Sequence, residues 1–254
     1  MSATIHSVKE SVSAAEWGVR CDLAACYQLT ALFGWDDLIA THISARVPGT
    51  GDFLINPMGL MFDEITASNL VKINVEGEIL SPTPHAINPA GFVIHSAIHM
   101  ARPDAGCVMH LHTRDGIAVS SIAEGLLPLN QGALSVIHDL AYHDYEGVAL
   151  ELDEREGLQR DLGEKSLMLL RNHGTLSVGG TVAEAFVKMY LLEQACQIQV
   201  RTLSMERALH TPSAASQEKV FEQTGEGKLG PLMREFFWPA LTRKLDRLGV
   251  RYKE

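Results

Sequence analysis

Apolar residues recur at helical spacing over residues 16–33, where Val19, Leu23, Cys26, Tyr27 and Thr30 share one side. The pattern predicts a helix that Gly34 ends. Residues 38–47 alternate as a half-buried strand does. The turn Pro48-Gly49-Thr50-Gly51 leads into a second strand beginning at Phe53, so the two form a hairpin. After a loop at 56–59, Thr66 caps a short helix over 66–70. A strand follows over 70–75, and Gly77 turns the chain toward Ile79 and Leu80. The three prolines of 81–89 make a loop. A helix covers 90–100 and stops at Arg102-Pro103-Asp104, because the residue before a proline avoids helical geometry.

Further on, 107–112 reads as a buried strand, 116–123 as a helix, 136–142 as strand-like, 154–163 as a helix and 167–171 as a strand. Residues 182–209 read as one long helix, 211–230 as weakly structured, and 231–248 as a final helix. Strands and helices alternate along most of the chain, which predicts an α/β fold of three layers with one sheet between helices. The organisation expected is one domain over 1–210 and a C-terminal extension over 211–254 carrying the terminal helix.

Composition narrows the class. The 254 residues suit one large domain, and 46% hydrophobic with 20% charged residues is ordinary for a globular protein. No apolar run approaches the roughly 18 residues that span a membrane, and the start of the chain lacks the basic-then-apolar pattern of a secretory signal; a cytoplasmic protein without a membrane partner is expected. The net charge of −10 argues against nucleic acid as a partner. Cys21, Cys26, Cys107 and Cys196 form no C-x-x-C pair, so reduced thiols are expected.

The chemistry concentrates in histidines. In Val108-Met109-His110-Leu111-His112, residues two apart on a strand point to one face, so His110 and His112 project together at chelating distance. By itself the pair also suits one buried, hydrogen-bonded histidine and one surface histidine. Arg171-Asn172-His173-Gly174 ends another strand, where a histidine can line a cleft. Three imidazoles suit Zn²⁺ best and also Fe, Co, Ni or Mn, with an open position for catalysis. His95 and His99 share a helix face at i and i+4, a spacing that can also chelate metal; the alternative is that His95 packs beneath the site, as a supporting group or fourth ligand, with His99 facing outward.

Four strings resemble the class II aldolase/adducin family: NPAGFVIHSAIHMARPD at 88–104, HLHT at 110–113, AYHDYEG at 141–147 and LRNHGTLSVGG at 170–180. The likeness runs from about 15 to 210, and its middle is closer to adducin heads than to sugar-phosphate aldolases. It implies an α/β/α sandwich around a mostly antiparallel sheet, and a homotetramer or homodimer with sites near subunit interfaces. It also implies zinc held by His110, His112 and His173. The aldolases' metal-binding, proton-moving glutamate falls at Gly91 here. Their phosphate loops read Thr41-His42-Ile43-Ser44-Ala45-Arg46 and Asn56-Pro57-Met58-Gly59, and their serine pair reads Pro89-Ala90. A sugar phosphate therefore fits poorly, and His42, Asn56, Met58 and Asn88 are expected to line a differently shaped substrate pocket.

His143 is the first choice to replace the missing base, since an imidazole titrates near neutral pH. Tyr142 joins it as a catalytic candidate, with Asp144, Tyr145, Asp63 and Glu64 as further options. Arg114 is a candidate to hold a substrate carboxylate, or makes a structural ion pair. Asn172 is a candidate to orient His173. The function expected is a metal-dependent lyase, of aldolase or decarboxylase type, acting on a small oxygenated or carboxylated compound. The alternatives are a non-catalytic adducin-like scaffold of the actin cytoskeleton and an iron-dependent oxygenase.

Overall fold

A computed structural model of the chain describes residues 8–147, 152, 154–225 and 227–254. Its centre is a seven-stranded sheet of β1 (His42–Arg46), β2 (Phe53–Ile55), β3 (Val71–Ile73), β4 (Cys107–Leu111), β5 (Leu140–His143), β6 (Leu167–Leu170) and β7 (Gly174–Gly179). The strand order is β3-β2-β1-β4-β7-β6-β5. Every neighbouring pair is antiparallel except β5 with β6. The helices are α1 (Val8–Ser11), α2 (Ala14–Leu32), α3 (Pro89–Ala101), α4 (Arg114–Ser120), α5 (Gln131–Val136), α6 (Glu154–Leu162), α7 (Val182–Leu203), α8 (Ala214–Thr224), α9 (Gly230–Leu232) and α10 (Trp238–Arg247).

Strand alternation sorts β4 between two layers. Cys107, Met109 and Leu111 enter a core with α2 and α7, while Val108 packs with Val93, Ile94 and Ala97 of α3 and Leu158 and Leu162 of α6. The same face that takes Val108 takes His110, so the histidine face of β4 looks toward α3. Together with α2 and α7 on the opposite side, this makes the three-layer α/β/α sandwich expected, with a mostly antiparallel sheet. The hairpin of β1 and β2 is also present, in the register Ser44 opposite Ile55.

Several segments differ from the sequence pattern, each for a local reason. Residues 174–179 form β7 although they show no alternation. The strand lies between β4 and β6 and is buried along its whole length, so both faces demand small or apolar residues. Residues 66–70 form turns, not a helix: the Asn69 side chain accepts the Thr66 N–H (2.9 Å) and donates to the Glu64 carbonyl (2.9 Å). Over 136–142, α5 and a 3₁₀ turn (Ile137–Asp139) precede a strand that begins only at Leu140. The long helix ends at Leu203, with Glu206 beyond it at φ 51°.

The stretch expected to be weakly structured holds α8, capped by Ser213, whose hydroxyl accepts the Ser216 N–H (3.2 Å). The final helix is a run of α9, a π-helical turn (Met233–Phe237) and α10. Met233, Trp238, Leu245 and Tyr252 are buried in the same core as α2 and α7, and Trp238 Nε1 donates to Asp22 (3.0 Å). No described helix is long and apolar enough to cross a membrane.

Candidate metal centre

The three histidines of the sequence pattern converge. One ring nitrogen from each of His110, His112 and His173 lies within 4.8 Å of the others. Ring centres are 4.7 to 4.9 Å apart. His110 is the fourth residue of β4, and His112 follows the strand's end. His173 comes from the tight turn between β6 and β7. There the His173 N–H reaches the Leu170 carbonyl (3.1 Å), and Asn172 adopts a left-handed φ of 58°, which asparagine tolerates better than most residues. A Cβ on Gly174 would run into the Leu111 carbonyl oxygen and lie 3.1 Å from the His112 ring. Glycine thus lets β7 close onto β4 directly beneath the two imidazoles.

Hydrogen bonding settles which nitrogens face inward. His110 Nδ1 lies 3.1 Å from the Thr175 carbonyl, and His112 Nδ1 lies 3.0 Å from the Asp37 carboxylate. Both partners only accept, so each Nδ1 carries the proton. The two Nε2 atoms then face each other 3.0 Å apart. Two lone pairs facing each other at that distance repel unless a cation stands between them. A tetrahedral Zn²⁺ with bonds of about 2.0–2.1 Å spaces its nitrogens about 3.3 Å apart, so the donor set fits a divalent ion after a small adjustment. Burial and the neighbouring His173 hold His110 well below the usual imidazole range. Burial and His112 lower His173 to about 4.

A second line of histidines abuts the first. His42 stands opposite His110 across the sheet, with ring centres 5.2 Å apart. His42 Nδ1 is 2.9 Å from His95 Nε2, His95 Nδ1 is 2.5 Å from Ser44 Oγ, and Ser44 Oγ is 2.8 Å from His99 Nε2. His95 thus reaches the cluster only through His42. His99, expected to face outward, is instead 3% exposed, because Ser44 offers it a partner on the sheet and Phe53 stacks against it at 4.7 Å. At Gly91 a Cβ would lie 2.7 Å from His42 Cδ2, so the His42 ring fills the space a side chain there would need.

The other candidates are placed as follows. Asn56 is buried and bonded to the Tyr27 hydroxyl (2.8 Å), and Asn88 caps α3 by accepting the Ala90 N–H (3.0 Å). Both are engaged in structure, while Arg114 opens α4 with its side chain exposed. Tyr142 is not brought to the cluster. Its hydroxyl accepts the Leu126 N–H (3.0 Å) and its ring lies under Arg171, on the face of β5 opposite His143. His143 donates from Nδ1 to Asp161 of α6 (2.7 Å), and its Nε2 is buried without a hydrogen-bond partner. Tyr145, half exposed, stands 6.2 Å from His173, ring centre to ring centre. Asp37, Ser44 and the Thr175 carbonyl belong to the site and were not anticipated. Each reaches it through tertiary contacts that no local motif announces.

Comparison with known proteins agrees with this geometry. The family described as "Class II Aldolase and Adducin N-terminal domain" matches residues 21–200. An aldolase II superfamily protein from Pseudomonas syringae, solved by crystallography, superposes with a TM-score of 0.92 at 52% identity, over 98% of this chain and 100% of that one. L-fuculose 1-phosphate aldolase from Glaciozyma antarctica superposes with a TM-score of 0.83 at 26% identity, over 100% of this chain and 97% of that one. Alpha-adducin of Mus musculus is 45% identical over 247 residues, which is 92% of this chain and 34% of that protein.

Proposed function

This chain belongs to the class II aldolase and adducin family, and from that premise we propose that it is a metal-dependent lyase, of aldolase or decarboxylase type, acting on a small oxygenated or carboxylated compound. The observation that carries the proposal is the convergence of His110 Nε2 and His112 Nε2, 3.0 Å apart, with His173 alongside. Zinc suits this all-nitrogen set best. When bound, the ion supplies positive charge that polarises a carbonyl or hydroxyl oxygen as a C–C bond breaks. The chain's own residues do the rest. Asp37 and the Thr175 carbonyl fix the tautomers of His112 and His110 and so aim both rings. His143, held by Asp161, is the group we assign to move the proton, its Nε2 left bare by that bond. We further place the protein in the cytoplasm as a homo-oligomer.

Elemental analysis of purified protein, followed by assays of aldol cleavage and decarboxylation on hydroxy- and oxo-acids with and without chelator, tests the reading. Bound zinc and chelator-sensitive turnover are expected. Protein that takes up no divalent ion refutes it. A second reading, a non-catalytic scaffold, is favoured by the missing side chain at Gly91 and the likeness to alpha-adducin. Metal binding without any C–C cleavage would favour that reading.

A further inference from the structure

Charge is unevenly divided along the chain. Residues 228–254 hold seven Lys and Arg against three Asp and Glu, a net of +4, while residues 1–227 hold 14 against 28, a net of −14. Folding leaves part of the positive charge unspent. Arg234 pairs with Glu184, Arg251 with Glu254 and Lys253 with Asp246. Arg243, Lys244 and Arg247 of α10 are exposed and form no ion pair with any described residue. The helix turns Trp238 and Leu245 into the core, so these three cations lie on its solvent side. In the π-helical turn just before it, Phe236 and Phe237 are 64% and 48% exposed. Phe237 and Lys244 are seven residues apart, about two turns, which places them on one side of the helix. Adjacent exposed phenylalanines beside exposed arginines have the composition of an interface, not of a solvated surface.

A surface of opposite sign lies on the other layer. Asp144 and Glu146 follow β5, and Glu156 is in the first turn of α6. All three are exposed, and none pairs with a described residue. A Cβ on Gly157 would lie 3.5 Å from Glu146 Oε1, so the loop and the start of α6 are neighbours. Tyr145, 55% exposed, adds an aromatic ring to the acids. α10 packs in the core of α2 and α7, whereas α6 packs with α3 on the opposite face of the sheet. The basic and acidic surfaces of one chain therefore face away from each other, and each is open to the complementary surface of a second copy. Nucleic acid or anionic lipid would meet the −14 of the remaining chain along with the +4 of the extension. Another copy supplies the matching charge itself.

We propose that the aromatic and basic surface of the C-terminal extension, Phe236, Phe237, Arg243, Lys244 and Arg247, docks on the acidic surface at Asp144, Glu146 and Glu156 of a second copy of this chain. The contact joins two different surfaces, so it is head to tail and copies add in one direction around a ring. The phenylalanines supply the apolar burial, and the charges set the orientation. The proposal rests on the homo-oligomer reading above and assigns the surfaces that make it.

Sedimentation velocity of the full chain at low and high salt, about 0.05 M and about 0.5 M, tests the assignment. Wild type is expected to associate, and more tightly at low salt. Two charge-reversed chains are then compared: Arg243→Glu/Lys244→Glu/Arg247→Glu, and Asp144→Lys/Glu146→Lys/Glu156→Lys. Each alone is expected to lose about tenfold or more in self-association, because it presents the same sign on both surfaces. Mixed in equal amounts they are expected to associate again, since every contact in the mixture then joins opposite signs. Phe236→Ser/Phe237→Ser is expected to weaken association without changing the charge. Circular dichroism verifies folding, and if a triple variant fails to fold, Arg247→Glu and Glu156→Lys carry the comparison with smaller losses. Reversed chains that associate as wild type does, or a folded mixture that stays apart, overturn the choice of surfaces while the oligomer itself stands. Wild type that stays monomeric yet binds vesicles containing phosphatidylserine through α10 assigns the surface to lipid and overturns the proposal. Wild type that is monomeric and binds no vesicles overturns the homo-oligomer reading, a result distinct from the others.

Discussion

Glu193 of α7 is 2% exposed, and its carboxyl accepts the Thr113 hydroxyl (2.5 Å) and the Gln197 amide (3.2 Å). Burial pushes its pKa up from an ordinary 4.5 to about 7. An acid whose folded pKa lies above its unfolded one holds its proton more tightly in the native state. Folding therefore loses stability as pH rises from about 4.5 to about 7 and no more above that. A rise of this size corresponds to at most about 3 kcal/mol, at 1.36 kcal/mol per pH unit. Glu193→Gln removes the ionisation while keeping a side chain of the same shape. Between pH 5 and pH 8 the variant should gain about 2 kcal/mol relative to wild type, whatever fixed cost the amide adds. Urea unfolding of both proteins at the two pH values, followed by circular dichroism, measures the contrast. A difference between variant and wild type that is the same at pH 5 and pH 8 refutes the buried-acid reading.

Four other outcomes are expected. Burial holds His42, His95 and His99 below the usual imidazole range, His99 at about 3, so they stay neutral in the fold and charge only on unfolding. The contribution of these rings to stability is then complete above about pH 6.5 and is lost below it, by up to about 1.4 kcal/mol per pH unit for each ring, as acid titration of the unfolding midpoint of Glu193→Gln, which lacks the opposing carboxyl, will show. His173→Ala should abolish tight Zn²⁺ binding in competition with a chromophoric chelator while leaving the circular dichroism spectrum intact. Gly174→Ala should destabilise by about 2–4 kcal/mol in thermal melts, because its Cβ meets the Leu111 carbonyl and neither strand can yield. Asp37→Asn should weaken metal affinity about tenfold by calorimetry, since the amide no longer holds the His112 tautomer as firmly.

The parts of the fold visible in the sequence were those written in one element's own periodicity. The alternation of β4 placed His110 and His112 on one face, and the helix read over 16–33 is present as α2, although Leu23–Thr30 are buried all round and not along one stripe. The resemblance carried by 88–104 and 170–180 supplied the antiparallel sheet. What escaped depended on neighbours. β7 has no alternation because β4 and β6 enclose it, and α8 is polar with no buried residue, so nothing in its pattern marks a packed helix. The i, i+4 pair His95 and His99 showed a shared face without showing that Ser44 waits on the sheet within hydrogen-bond distance of both. Asp37 lies 75 residues from His112, and no spacing rule joins them. Tyr142 and His143, neighbours in the chain, part to opposite faces by the same period-two rule that brought His110 and His112 together.

The close approach of the His42 ring to the helix backbone at position 91 carries a consequence for redesign. A Cβ there would lie 2.7 Å from the ring, so a side chain at 91 displaces the ring and disturbs its contact with His95. Grafting a carboxylate onto 91 therefore calls for a smaller residue at 42 in the same variant.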